Sequence, residues 1–168
     1  MAGRRVKIQD TGQYGNSEEA FRAPNKKYYS SEEAWQNIQL NNQYRDKCIQ
    51  FVMDLLGYRP GMKLPTLTYK KIKEYEEPYG LDVLYETMLS CEQSCTWALQ
   101  NKQFTGEVAK IMYIFAIFQN NAMDQWKKKV AKKRDLYIAE SQSKDFATED
   151  VVEYVPKVKN DIRRFLND

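Results

Sequence analysis

The 168-residue chain contains no histidine. That absence removes the commonest general base near neutral pH and the commonest metal ligand. Glycine (7 residues) and proline (5 residues) are scarce. Few breakers, with much Glu, Lys, Gln, Asn and Leu, favour helices over a strand-rich fold. Cysteine is limited to Cys48, Cys91 and Cys95. An odd set without secretory context fits a reducing compartment rather than a disulfide framework. Three thiols without histidine fall short of a four-ligand zinc site, and a cysteine nucleophile would have no imidazole to activate it. They read as small buried apolar side chains. Neither the Walker nor the dinucleotide glycine spacing occurs. No apolar run follows Met1, and the run at residues 111–118 is far shorter than the ~20 residues that span a bilayer. The expectation is a soluble cytoplasmic protein with no signal peptide, no membrane span and no cofactor.

What is present points to one helical domain. The length suits a single core. Apolar residues make up 42% of the chain and aromatics 13%, 12 of them tyrosine. The formal charge is only +3, too little to demand nucleic acid, but its placement is uneven. Residues 1–29 hold six Lys/Arg against three Asp/Glu, and residues 105–140 hold seven against four. Positive charge therefore gathers in the N-terminal arm and beyond the long apolar run.

Along the chain, residues 1–29 show no sustained periodicity and read as an irregular arm, ordered where Val6, Ile8, Tyr14 and Phe21 meet apolar surface, with one helical turn at residues 17–21. Ser30 with Glu33 forms a capping box for a first helix. Its apolar stripe passes Trp35, Ile38, Tyr44, Cys48, Phe51, Val52 and Leu55, with a loosening at residues 40–42, and ends before Gly57. Pro65 opens a second helix, which Pro78 ends. A third helix runs over residues 81–101 with Leu84, Met88, Cys91, Cys95 and Ala98 on one face. Thr105 caps a fourth, with Glu107 in its first turn. Eight apolar residues in succession at 111–118 cover the whole circumference of that helix, so it is expected at the centre of a bundle. The motif "SQSKDF" at residues 141–146 reads as a break. A closing amphipathic helix passes Val158, Ile162, Phe165 and Leu166, and "DVVEYV" has the alternation of a short strand. The fold class is all-α: a single bundle of five or six helices around the apolar one. Its parts are an arm at 1–29, a bundle with a basic helix end at 30–140, and a linker and helix at 141–168.

Candidate binding residues are cationic. In "KKKVAKKR", Lys127, Lys128, Lys129, Lys132, Lys133 and Arg134 occupy six of eight positions. At 100° per residue they encircle the helix instead of forming a stripe. That excludes a membrane-surface helix, which needs a clean apolar face. It suits either a solvated helix end or one lying along phosphates. Lys70, Lys71 and Lys73, and Arg4, Arg5, Lys26, Lys27 and Tyr28, form further basic zones interleaved with tyrosines, a pairing able to stack bases and meet phosphates. Glu74, Glu76 and Glu77 read as a solvated charged helix end.

Residues 63–129 resemble the C-terminal domain of the DnaD-like replication proteins and phage replisome organisers. "KIKEYEEPYGLDVLYETM" is similar to that family's helix with a Tyr–Gly junction. "YIFAIFQNN" places Tyr113 and Ile117 at the spacing of its Tyr-x-x-x-Ile-x-x-x-Trp motif, although Asn121 stands at the Trp position and Trp126 comes five residues later. The resemblance implies a helical protein that binds DNA during replication initiation, self-associates and recruits helicase machinery. The chain also looks like the small accessory proteins of phages and mobile elements, some of which inhibit host defence nucleases. The expected partner is nucleic acid or a nucleoprotein, with a protein partner as the alternative and no membrane. Without histidine, phosphate loop or activated thiol, the purified protein is expected to show no nuclease, ATPase or transferase turnover. Reproducible turnover lost on substituting Cys91 or Glu74 would refute this.

Overall fold

The structure, a computed structural model, describes residues 4–147, and side chains as far as Ser141. Helix α1 (Glu32–Leu56) starts at Ser31, whose Oγ accepts the Ala34 N–H at 3.1 Å. The sequence pattern pointed one residue earlier, to Ser30. Ser30 is instead drawn to Asp10: its N–H donates to the carboxylate at 2.9 Å and its hydroxyl donates to the other carboxylate oxygen. At the far end Gly57 adopts φ 74°, and the Gly57 and Tyr58 N–H groups close onto the Asp54 and Met53 carbonyls. That turn favours a residue without Cβ. The stretch 40–42 does not loosen the helix, which runs through it. Asn41 instead reaches out to Glu76 Oε1, at 2.5 Å.

Helix α2 (Thr66–Glu76) follows Pro65 and buries Thr68, Ile72 and Tyr75. Gly80, at φ 86°, turns the chain into α3 (Leu81–Asn101). Eight residues of α3 are buried: Leu81, Val83, Leu84, Thr87, Met88, Cys91, Cys95 and Ala98. Thr87 is admitted there because its hydroxyl donates to the Val83 carbonyl at 2.7 Å. Helix α4 (Glu107–Ala147) continues through residues 141–146, so the expected break is absent. That segment holds neither glycine nor proline, and Ser141 Oγ bonds the Ile138 carbonyl at 2.9 Å within the helix.

One cluster joins these helices. Cys48 and Val52 of α1, Ile72 and Tyr75 of α2, the inner face of α3, and Ile111, Ile114, Phe115, Phe118 and Ala122 of α4 share it. Phe115 and Phe118 meet edge to face at 5.4 Å, and the Tyr75 hydroxyl donates to the Phe115 carbonyl at 3.2 Å. The bundle is not centred on α4, contrary to the expectation from its apolar run. Met112 and Ala116 are exposed, so α4 is not surrounded by protein; α3 is the more enclosed helix.

The N-terminal arm is also not irregular. Strands β1 (Arg5–Lys7) and β2 (Tyr14–Asn16) pair antiparallel, with Val6 opposite Gly15. Strands β3 (Phe21–Arg22) and β4 (Tyr28–Tyr29) form a second hairpin, where the expected helical turn is replaced by a turn leading into β3. Its tip is held by the Asn25 side chain, which accepts the Lys27 N–H at 3.0 Å, and by Lys26 at φ 63°. A bridge from Ile8 to Tyr28 links the hairpins, and Phe21 packs on Trp35 of α1 at 6.0 Å.

Among the described residues there are thus four helices and two small sheets, rather than five or six helices alone. The expected closing helix and the short strand at residues 150–155 lie outside the described residues. The chain divides into two compact units, Met1–Lys129 and Val130–Asp168. Phe115 is 2% exposed, so Phe115→Ala should destabilise the protein by ~3–5 kcal/mol. An unchanged denaturant midpoint would show that α4 closes nothing.

Candidate nucleic-acid interface

The six cations of "KKKVAKKR" are all solvent-exposed, and they lie on one continuous helix. Polar ties hold the start of this segment: Gln125 donates to the Ser90 hydroxyl at 3.1 Å, and the Lys129 ammonium, one of the six, is ion-paired to Asp82 in the first turn of α3. Asp82 is favoured there by the helix dipole. Lys127, Lys128, Lys132, Lys133 and Arg134 have no ion-pair partner among the described residues. Leu136, Tyr137 and Ile138 are exposed just beyond, Tyr137 by 73%.

The other basic candidates lie on different elements. Lys70 and Lys73 are exposed on α2, while Lys71 is half-buried and paired with Glu74 at 2.7 Å. Arg4 is exposed ahead of β1, and the Arg5 guanidinium sits 5.4 Å over the Tyr14 ring. Lys26 and Lys27 occupy the tip of the second hairpin, whose strand half-buries Tyr28.

Most tyrosines of these basic zones are not free to stack. Tyr29 and Tyr75 are buried, Tyr28, Tyr58 and Tyr79 are half-buried, and Tyr69 is exposed. Glu76 is likewise not a solvated carboxylate. Arg45 Nη2 reaches its two oxygens at 2.7 and 2.8 Å, tying α1 to α2. Two cation–aromatic sites were missed in the sequence. Lys47 lies over Tyr44 and Tyr85, and Lys102 lies 4.6 Å over Tyr113. The spacing of three between Tyr44 and Lys47 on a helix was the available signal.

No group of three or more His, Cys, Asp or Glu able to hold a metal ion occurs among the described residues. No described helix is long and apolar enough to cross a membrane. The family model for SPbeta prophage protein YorH matches residues 8–164. The chain belongs to this YorH family. The match takes in the turn and second strand of the first hairpin, all of the second, the four helices and the whole basic segment. It supports a phage or mobile-element protein. Searches of curated proteins and of solved structures give no match.

All three thiols of this YorH-family chain are free and buried. Burial pushes the Cys48 thiol up to about 12, and burial with Cys91 alongside pushes Cys95 up to about 12, from an ordinary 9.0. Tyr75 rises from 10.0 to about 12, by burial first and then by Glu74 and Tyr79. The folded state thus holds protons that the unfolded chain releases from about pH 9 upward. The stability these groups contribute is full below that pH and is lost as pH climbs toward 12. The denaturant midpoint should therefore fall from about pH 9 upward. Iodoacetamide at about pH 8.5, the ordinary thiol range, should spare Cys48 and Cys95 until the protein is unfolded. Rapid alkylation of both in the folded protein would contradict their enclosure.

Proposed function

We propose that this prophage protein is a non-enzymatic accessory protein of the replication-organiser type, binding nucleic-acid phosphates through the basic segment of α4. The observation that carries the reading is the set of five exposed cations at 127–134 that lack an ion-pair partner among the described residues. Hydrated, mobile ammonium and guanidinium groups release condensed counterions when they meet phosphates, and that release drives binding. Because the charges encircle the helix, the segment supplies affinity without reading base edges. Lys70, Lys73, Arg4, Lys26 and Lys27, also exposed, would add secondary phosphate contacts.

A second reading has its own observation. Leu136, Tyr137 and Ile138 expose apolar surface directly after the cations, which suits a protein partner better than a phosphate backbone. In that reading the protein is an inhibitor or adaptor that occludes a nucleic-acid site on a host nuclease or defence complex.

Replacing Lys127, Lys128, Lys132 and Lys133 by Gln leaves Lys129 and its Asp82 partner in place. The variant should fold normally and bind single- and double-stranded oligonucleotides more weakly. The slope of log affinity against log salt should drop by about 0.7–0.9 for each lysine–phosphate pairing abolished. Anisotropy titrations across a salt series measure both quantities. Unchanged affinity and slope would remove the basic segment from the interface. Absence of oligonucleotide binding by the wild-type protein, with stoichiometric capture of one host nuclease component, would favour the second reading.

A further inference from the structure

Helix α4 carries a second apolar face that its core packing leaves open. Val108, Met112, Ala116, Met123 and Trp126 are all exposed, Val108 by 57% and Met112 by 46%. With Gln119 among them, successive spacings of four, four, three, four and three place these residues on one stripe. At 100° per residue the stripe lies roughly 100° around the helix from the buried set. It lies toward α2. There a cleft of about 350 Å³ opens, lined by the ion-paired Lys71 and Glu74 with Tyr75, Pro78 and Tyr79 from the α2 side, and by Met112, Phe115, Ala116 and Gln119 from α4. Ala116 is the smallest member of the stripe and Trp126 the largest.

We infer that a second copy of this chain covers the stripe, with the two α4 helices antiparallel and each Trp126 seated in the other copy's cleft beside Ala116. Size is the first argument. Residues 116 and 126 are equidistant from residue 121, as are 119 and 123. A two-fold axis at that point sets Ala116 opposite the partner's Trp126 and Gln119 opposite the partner's Met123, each pairing made twice, as an isologous interface requires. The exposed part of each Trp126, 38% in the single copy, then enters a preformed cleft of largely aromatic and aliphatic lining.

Charge is the second argument, and it fixes the direction. Parallel helices would lay six cations of residues 127–134 against the same six. Antiparallel helices lay them against residues 108–115, whose one charged side chain is Lys110. The six stripe residues are themselves uncharged, and the charged residues lining the cleft, Lys71 and Glu74, are already paired with each other. It fits its own copy by size.

Sedimentation equilibrium on the full chain, without nucleic acid and at up to about 100 µM, tests this independently of any phosphate binding. The wild type should be a dimer. Trp126→Ala, which empties the cleft, and Ala116→Trp, which fills it, should each weaken self-association at least about tenfold, the scale of losing a central interface Trp. Both residues are exposed in the single copy, so helicity by circular dichroism should not change. On oxidation, Gln119→Cys mixed with Met123→Cys should cross-link, and Val108→Cys should not cross-link to itself. A monomer at about 100 µM, a dimer that both variants leave intact, no mixed cross-link, or self-cross-linking at Val108→Cys would each overturn the inference.

Discussion

Ile111, Ile114, Phe115, Phe118 and Ala122 press into the groove offered by α1, α2 and α3, and the character of α4 follows from that packing. A helix has a limited arc to bury against one set of neighbours. The apolar run at 111–118 exceeds that arc. Its surplus, Met112 and Ala116, is left facing solvent. The same packing also fixes where each remaining face points. The Asp82 end of α3 lies beside Lys129, and the α2 cleft beside the outer apolar stripe.

Much of this was legible in the residues. The bounds of α3 follow from Gly80 and from the three- and four-residue spacing of its apolar side chains. The stop of α1 follows from one glycine whose left-handed turn few other residues tolerate. The buried state of the thiols follows from their place on those faces. The look of a phage or mobile-element protein could be read from the small, His-free, motif-poor chain, and the YorH family match supports it. The finer resemblance to replication organisers is carried by two positions of a motif, Tyr113 and Ile117, and stands as a proposal.

The rest was hidden for physical reasons. Strands of two or three residues are too short to show a period, and the hairpins are held by turn chemistry at Asn25, by the Ile8–Tyr28 bridge, by Phe21 on Trp35 and by a long-range carboxylate, Asp10. That same carboxylate moved the helix cap from Ser30 to Ser31, a competition between side chains twenty positions apart that no local pattern encodes. The eight-residue apolar run misled because continuity of apolar residues says how much surface wants burial, not how many neighbours exist to bury it. The charged residues of α2 misled in the opposite direction. Glu76 reads as solvent-facing until α1 brings Arg45 and Asn41 to it.

The pairing of Lys129 with Asp82 has a bearing on selectivity. Asp82 is an anion already seated where the basic segment begins. A single small anion arriving at Lys129 must displace a carboxylate tethered at high effective concentration, and it gains little by doing so. Under the phosphate-binding reading proposed above, a polyanion gripping the neighbouring cations would recruit Lys129 as one step among many, and would lose little. On that proposal the arrangement would filter ligands by their number of charges, favouring an extended chain of phosphates over free phosphates and nucleotides.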